Sequence, residues 1–179
     1  MDCHKLRDSA LLYAFPKIHK QAVPLRPIVP FVSSATYSVS KHLVSILSPL
    51  VVYSKHHVRN STDFAKFITA QRVEEDEVLV SFDVVSLFTR IPTNLSVQVA
   101  CQRLQDDPSL SEYTSLTPGE TVSLLELCLN ATYVYSRHSS TYYQKIHGTA
   151  MGSPVSIVVV DLVMADAESR ALSVHPQPP

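Results

Sequence analysis

Glycine is nearly missing from this chain, with three residues in 179, where about 7% would be usual. Flexible Gly-rich linkers are therefore excluded, and no internal repeat or low-complexity tract is visible. Two of the three glycines, Gly148 and Gly152, fall within five residues of each other, which points to a special backbone at that one place. Cysteine is also sparse. Cys3, Cys101 and Cys128 are odd in number and lack metal-ligand spacing, which excludes a disulfide framework and fits a reducing compartment. Long apolar runs are missing too. The strongest stretch, Val155 to Val160, meets Asp161 and is far too short to span a bilayer. The opening Met1-Asp2-Cys3-His4-Lys5 is polar and lacks the apolar segment of a secretory signal. An intracellular protein, nuclear or cytoplasmic, is the expectation.

What is present suits one globular domain. Hydrophobic residues make up 45% and charged residues 17%, enough apolar material for a core and too little charge for disorder. The net charge of −1 conceals a strong asymmetry. Residues 1–60 carry eight Lys/Arg against two acids, and residues 61–120 carry four against ten. A basic front beside an acidic middle suits a protein that grips phosphates with one part and cations with another. A solvated surface with uneven charge gives the same count.

Periodicity and punctuation outline the elements. Four prolines within residues 1–33 predict extended or looped backbone, because proline disfavours helix for itself and its predecessor. Val39, Leu43, Ile46, Leu47 and Leu50 predict an amphipathic helix over Thr36 to Leu50. Asn60-Ser61-Thr62-Asp63 offers N-caps for a short helix burying Phe64, Phe67 and Ile68. Val78 to Asp83 reads as a strand with a carboxylate near its end. A helix follows Pro92 to about Gln105. Thr117-Pro118-Gly119-Glu120 is a capping box for a helix to about Asn130. Thr132–Tyr135 and Thr141–Lys145 predict a hairpin around residues 137–140. Ser153-Pro154 predicts the start of a final helix through Arg170, with a proline tail after it. The class is α+β.

Three segments have chemical potential. Lys17, Lys20 and Arg26 lie on a proline-stiffened stretch, Tyr13 to Val29, where cations can meet phosphate with little loss of flexibility; a solvated basic loop reads the same way. Asp83 closes an apolar run and requires a partner, for which a divalent cation bound by carboxylate and carbonyl oxygens is one candidate; a cap on the following turn is the other. Gly148-Thr149-Ala150-Met151-Gly152-Ser153-Pro154 could bring a ligand against bare amides, or could simply be a tight connection.

In this order, Tyr13 to Lys20, Pro24 to Val29, Phe82 to Thr89 and Gly148 to Pro154 resemble the reverse transcriptases of Penelope-like retroelements. Leu125 to Asn130 adds to the likeness, which spans roughly residues 12–170. The resemblance implies a partial right-handed polymerase, with about residues 12–75 in the fingers, about 76–172 in an incomplete palm and 173–179 as a disordered tail. It implies RNA-directed DNA synthesis from RNA template, DNA primer and deoxynucleotides. Asp83 matches the first catalytic carboxylate of a palm strand. Asp83 and the Val84 carbonyl would hold magnesium, in a site where two ions about 4 Å apart activate the primer hydroxyl and steady the leaving pyrophosphate. Lys17 and Arg26 match cations that bind the triphosphate. Phe88 falls where an aromatic ring meets the incoming sugar, facing the same cavity as Asp83. Met151 and Gly152 match a pair along nucleotide and template, and Lys20, Gly148 and Ser153 are expected to contact nucleic acid.

Departures from the pattern are Ala14 and Phe15 for glycine and leucine, Arg90 for asparagine, Ile157 for proline and Asp161 for asparagine. The family's second carboxylate group, a paired aspartate on a strand turn, finds no match after Gly148. Asp106-Asp107, the only such pair, lies between the two palm motifs. The resemblance thus implies a domain with weak or absent magnesium binding, inactive alone, or a non-enzymatic remnant that binds RNA through its basic front.

Overall fold

The computed structural model describes residues 13–32, 34–53, 57–136 and 138–174. Of the expected tail, residues 173–179, Ser173 and Val174 instead end the last helix, while residues 175–179, Cys3 and the hairpin tip at Arg137 lie outside the described residues. Helix accounts for half of the described residues and the strands among them form two small sheets, in keeping with the α+β class. The chain divides into two compact units, one formed by the chain up to Val52 together with the chain from Ser86 onward, the other by Tyr53–Val85.

In the first unit, strands β1 (Tyr13–Pro16) and β2 (Leu25–Ile28) form an antiparallel hairpin, with Tyr13 opposite Ile28 and Phe15 opposite Arg26. The four prolines predicted extension, and extension is found, but the pairing is not encoded in them. The connecting loop is closed by the Lys17 amide donating to the Pro24 carbonyl at 2.9 Å. It then passes through Ala22 and Val23 at φ 62° and 42°, a region that β-branched residues rarely enter.

Helix α1 (Tyr37–Leu47) continues into a 3₁₀ turn, Ser48–Leu50. Its predicted stripe is buried at Leu43, Ile46, Leu47 and Leu50. After the short α3 (Leu87–Arg90), α4 (Thr93–Asp106) starts behind Pro92, and α5 (Leu110–Tyr113) is a single turn. The capping box before α6 (Pro118–Asn130) forms as its sequence dictates. The Thr117 hydroxyl accepts from the Glu120 amide at 3.2 Å, and the Glu120 carboxylate accepts from the Thr117 amide at 2.8 Å. Strands β3 (Tyr133–Ser136) and β4 (Thr141–Gln144) make the second hairpin, and α7 (Pro154–Val174) runs one turn beyond the expected end.

Helices α1, α4, α6 and α7 pack on one another around Leu43, Leu47, Leu104, Leu125, Val155, Val159 and Leu162. All seven are almost fully buried, the placement that hydrophobic transfer favours most. A smaller cluster, Val29, Phe31, Val134 and Ala150 with Tyr37 against it, lies beneath the exit from β2 and holds it to β3. Among the described residues no helix is long and apolar enough to cross a membrane.

The second unit corrects two expectations. Helix α2 (Ser61–Thr69) forms behind Asn60, whose side chain accepts from the Asp63 amide at 2.9 Å. Yet it buries none of its residues, and Phe67 is 60% exposed. The expected strand over Val78–Asp83 is not a strand. Residues 78–85 are all exposed, Phe82 by 91%, and take part in no described ladder. A strand requires a neighbour for its amides and carbonyls, and the two described sheets are hairpins closed on themselves.

Candidate functional site: a glycine turn joining three segments

The turn at Gly148–Ser153 exists because two positions there admit no side chain. Gly148 sits at φ 67°, and a Cβ on it would stand 2.5 Å from the Phe88 carbonyl oxygen and 2.6 Å from Thr89 Cα. Gly152 sits at φ 117°, and a Cβ there would stand 2.2 Å from the Val29 oxygen. Bare backbone is thus pressed on one side against the backbone of α3 and on the other against the chain leaving β2.

Hydrogen bonds fix both contacts. The Thr149 amide donates to the Phe88 carbonyl at 2.6 Å, and its buried hydroxyl donates to the same oxygen at 3.1 Å. The Val29 amide donates to the Met151 carbonyl at 3.0 Å. Lys145 donates its ammonium to the Gly148 carbonyl, and burial lowers its pKa from the ordinary lysine value because a partly desolvated ammonium favours its neutral form.

The turn therefore brings together three stretches that are far apart in sequence: the exit from β2, the Phe88–Thr89 backbone and residues 148–153. Phe88 has its ring half-buried against the main core. Met151 is half-buried and Gly152 exposed, whereas Gly148 and Ser153 are buried. Ser153 stands one residue ahead of α7, as an N-cap should. Its hydroxyl nevertheless has no hydrogen-bond partner, and its carbonyl accepts from the Ser156 amide instead. Lys20 and Arg26 are exposed and Lys17 is half-exposed, all on the first hairpin or its loop.

Asp83 and Val84 belong to the other unit, where both are exposed and outside any strand. Asp83 is the only acid between Val78 and Val85. Among the described residues no group of three His, Cys, Asp or Glu side chains could hold a metal ion. A magnesium ion takes near-octahedral oxygen ligands and is usually anchored by one or two carboxylates. One carboxylate with one adjacent carbonyl does not fit a two-ion centre.

Sequence reasoning overlooked several groups in this arrangement. The Thr149 hydroxyl and the Val29 backbone hold the turn in place, and neither was singled out. Gly148-Thr149 could have signalled the first, because a hydroxyl beside a positive-φ glycine often bonds backbone. Lys145 was read only as the end of a strand.

No protein-family model matches the chain. No curated protein matches it either.

Proposed function

We propose that this chain is the fingers and partial palm of a reverse transcriptase of the Penelope-like retroelement kind. Its own contribution is to bind RNA template, DNA primer and deoxynucleotide. The observation that carries the reading is the convergence on the glycine turn. Pro24–Val29, Phe82–Thr89 and Gly148–Pro154 were picked out by sequence alone as three of the resembling segments. Parts of all three are joined by the bonds from Thr149 to Phe88 and from Val29 to Met151. A solvated loop or a plain hairpin-to-helix connection has no need of those partners.

On this reading Lys17 and Arg26 meet the triphosphate, with Arg26 suited to forked contact with two oxygens. Lys20 meets the nucleic-acid backbone. Phe88 stands by the incoming sugar, and Met151-Gly152 lies along nucleotide and template. Asp83 with the Val84 carbonyl supplies part of a magnesium site at most, so the chain acts as a binding body and the polymerisation chemistry is not assigned to it.

The test is binding of a labelled RNA template annealed to a DNA primer, across a salt titration. The expected result is affinity that falls steeply with salt as counterions are released and that largely disappears when Lys17, Lys20 and Arg26 are replaced together by alanine. A triple variant that binds as tightly as the parent at every salt concentration refutes the assignment.

A further inference from the structure

The first hairpin has a face that the triphosphate reading does not use. Residues i and i+2 of a strand share a face, so Tyr13 and Phe15 point the same way, with Arg26 and Ile28 opposite them in register. The two rings meet edge to face, centroids 5.5 Å apart and planes at 86°. They are nevertheless 44% and 58% exposed. Neither ring belongs to either core cluster. An exposed aromatic pair with a guanidinium directly across the ladder from one ring offers a ligand both a flat apolar face and a cation.

We infer that this face is a stacking platform for the unpaired bases of a single-stranded nucleic acid. The inference rests on the proposed function and extends it from phosphate contact to base contact. Charge argues for the occupant. No acidic residue occurs between Ser9 and Thr62, while Lys17, Lys20 and Arg26 lie on the hairpin or its loop. A cationic track beside aromatic faces is how single strands are held without reading their sequence. A flexible single strand can present base faces and backbone at once, and a duplex hides its base faces in the stack. Backbone chemistry argues against the commonest alternative, an added strand from another protein. Pro16 and Pro27 remove two of the eight strand amides, and proline on an edge discourages pairing.

The experiment uses the full chain and two probes of equal length, an oligouridine strand and a blunt RNA duplex, each titrated over a range of salt. The variants are Tyr13→Ala, Phe15→Ala and Phe15→Trp, beside the Lys17, Lys20 and Arg26 triple alanine variant. Thermal unfolding of each variant verifies that the exposed substitutions leave the fold intact. The parent should prefer the single strand. Each aromatic-to-alanine change should weaken oligouridine binding about tenfold, the size expected for one stacked base, with the salt slope unchanged. Phe15→Trp should bind oligouridine like the parent. The triple variant should lower the salt slope instead. Aromatic variants that bind oligouridine like the parent overturn the platform while leaving the phosphate-binding reading intact. Equal losses on strand and duplex overturn it too, as does a parent that self-associates through Phe15 and binds no single strand. A parent that binds neither probe at low salt overturns both readings.

Discussion

Replacing Gly152 by alanine tests the glycine turn most directly. Two costs arise at once. Backbone at φ 117° lies where residues other than glycine are strained by about 1–3 kcal/mol. The new Cβ would also fall 2.2 Å from the Val29 oxygen, closer than any real contact, and that oxygen is backbone of a chain anchored in the small core. Relief means separating residues 151–152 from Val29, which breaks the bond from the Val29 amide to the Met151 carbonyl at a further 0.5–1.5 kcal/mol, roughly. Together these give a destabilisation of about 1.5–4.5 kcal/mol. For a chain of this size that is a fall in melting temperature of about 3–18 °C. Gly119 is the internal control. It lies in the first turn of α6 with nothing within 4 Å of an added Cβ, so Gly119→Ala should be neutral or stabilising by up to about 1 kcal/mol. Urea and thermal unfolding by circular dichroism measure both. If Gly152→Ala melted within about 2 °C of the parent, or no lower than Gly119→Ala, the close approach at Val29 would not exist.

Thr149→Val keeps the shape and removes the hydroxyl that donates to the Phe88 carbonyl. Because the Thr149 amide still satisfies that oxygen, the loss should be about 0.5–1.5 kcal/mol by urea unfolding, and a neutral variant would remove the hydroxyl from the clamp. In the salt titration of template–primer binding, the Lys17, Lys20 and Arg26 triple variant should lower the logarithmic slope by about two to three; an unchanged slope would place the phosphate contacts elsewhere. Tyr113 donates its phenol to Asp107. Burial, and then that carboxylate, push its pKa up to about 12, while the Tyr113 bond holds Asp107 below the usual carboxylate value. The phenol's contribution is full below the unfolded tyrosine pKa near 10 and is lost as pH rises through about 12. The carboxylate's contribution is full above its unfolded pKa near 4 and is lost as pH falls through its depressed folded value. Ultraviolet titration should show one late phenolate step that Tyr113→Phe deletes, and a parent without that step would dissolve the pair.

Local chemistry was the most legible part of the sequence. The capping box at Thr117 and Glu120 and the Asn60 cap are decided within four residues, so they form as read. The stripe of α1 was legible because Leu43, Ile46 and Leu47 bury the face their spacing defines. The two glycines marked the turn, but not what pressed on it. Val29 and Phe88 come from distant parts of the chain, and nothing in their own neighbourhoods announces a backbone contact. The β1–β2 pairing was hidden for a related reason. Pro16 and Pro27 argue against strand at each position taken singly, and only the register shows them tolerated in a two-stranded hairpin. Tyr13 and Phe15 carried a signal that was overlooked, two aromatics spaced i, i+2 just before a basic loop.

The segment Val78–Asp83 shows why propensity alone misled. Its β-branched and aromatic side chains suit a pleated, half-buried surface, and that suitability was read as a strand. Propensity, however, reflects packing against neighbours, and a strand's stability comes from cross-strand pairs. Among the described residues no ladder reaches residues 78–85, so the preference has nothing to act on. The same logic applies to α2, where Phe64 and Phe67 mark a face yet no residue of the helix is buried. Helix survives that lack because its hydrogen bonds are internal to the segment. Strand does not, because its bonds belong to the pair. The cap at Asn60 was therefore enough to make α2 a helix, whereas nothing within Val78–Asp83 by itself makes a strand.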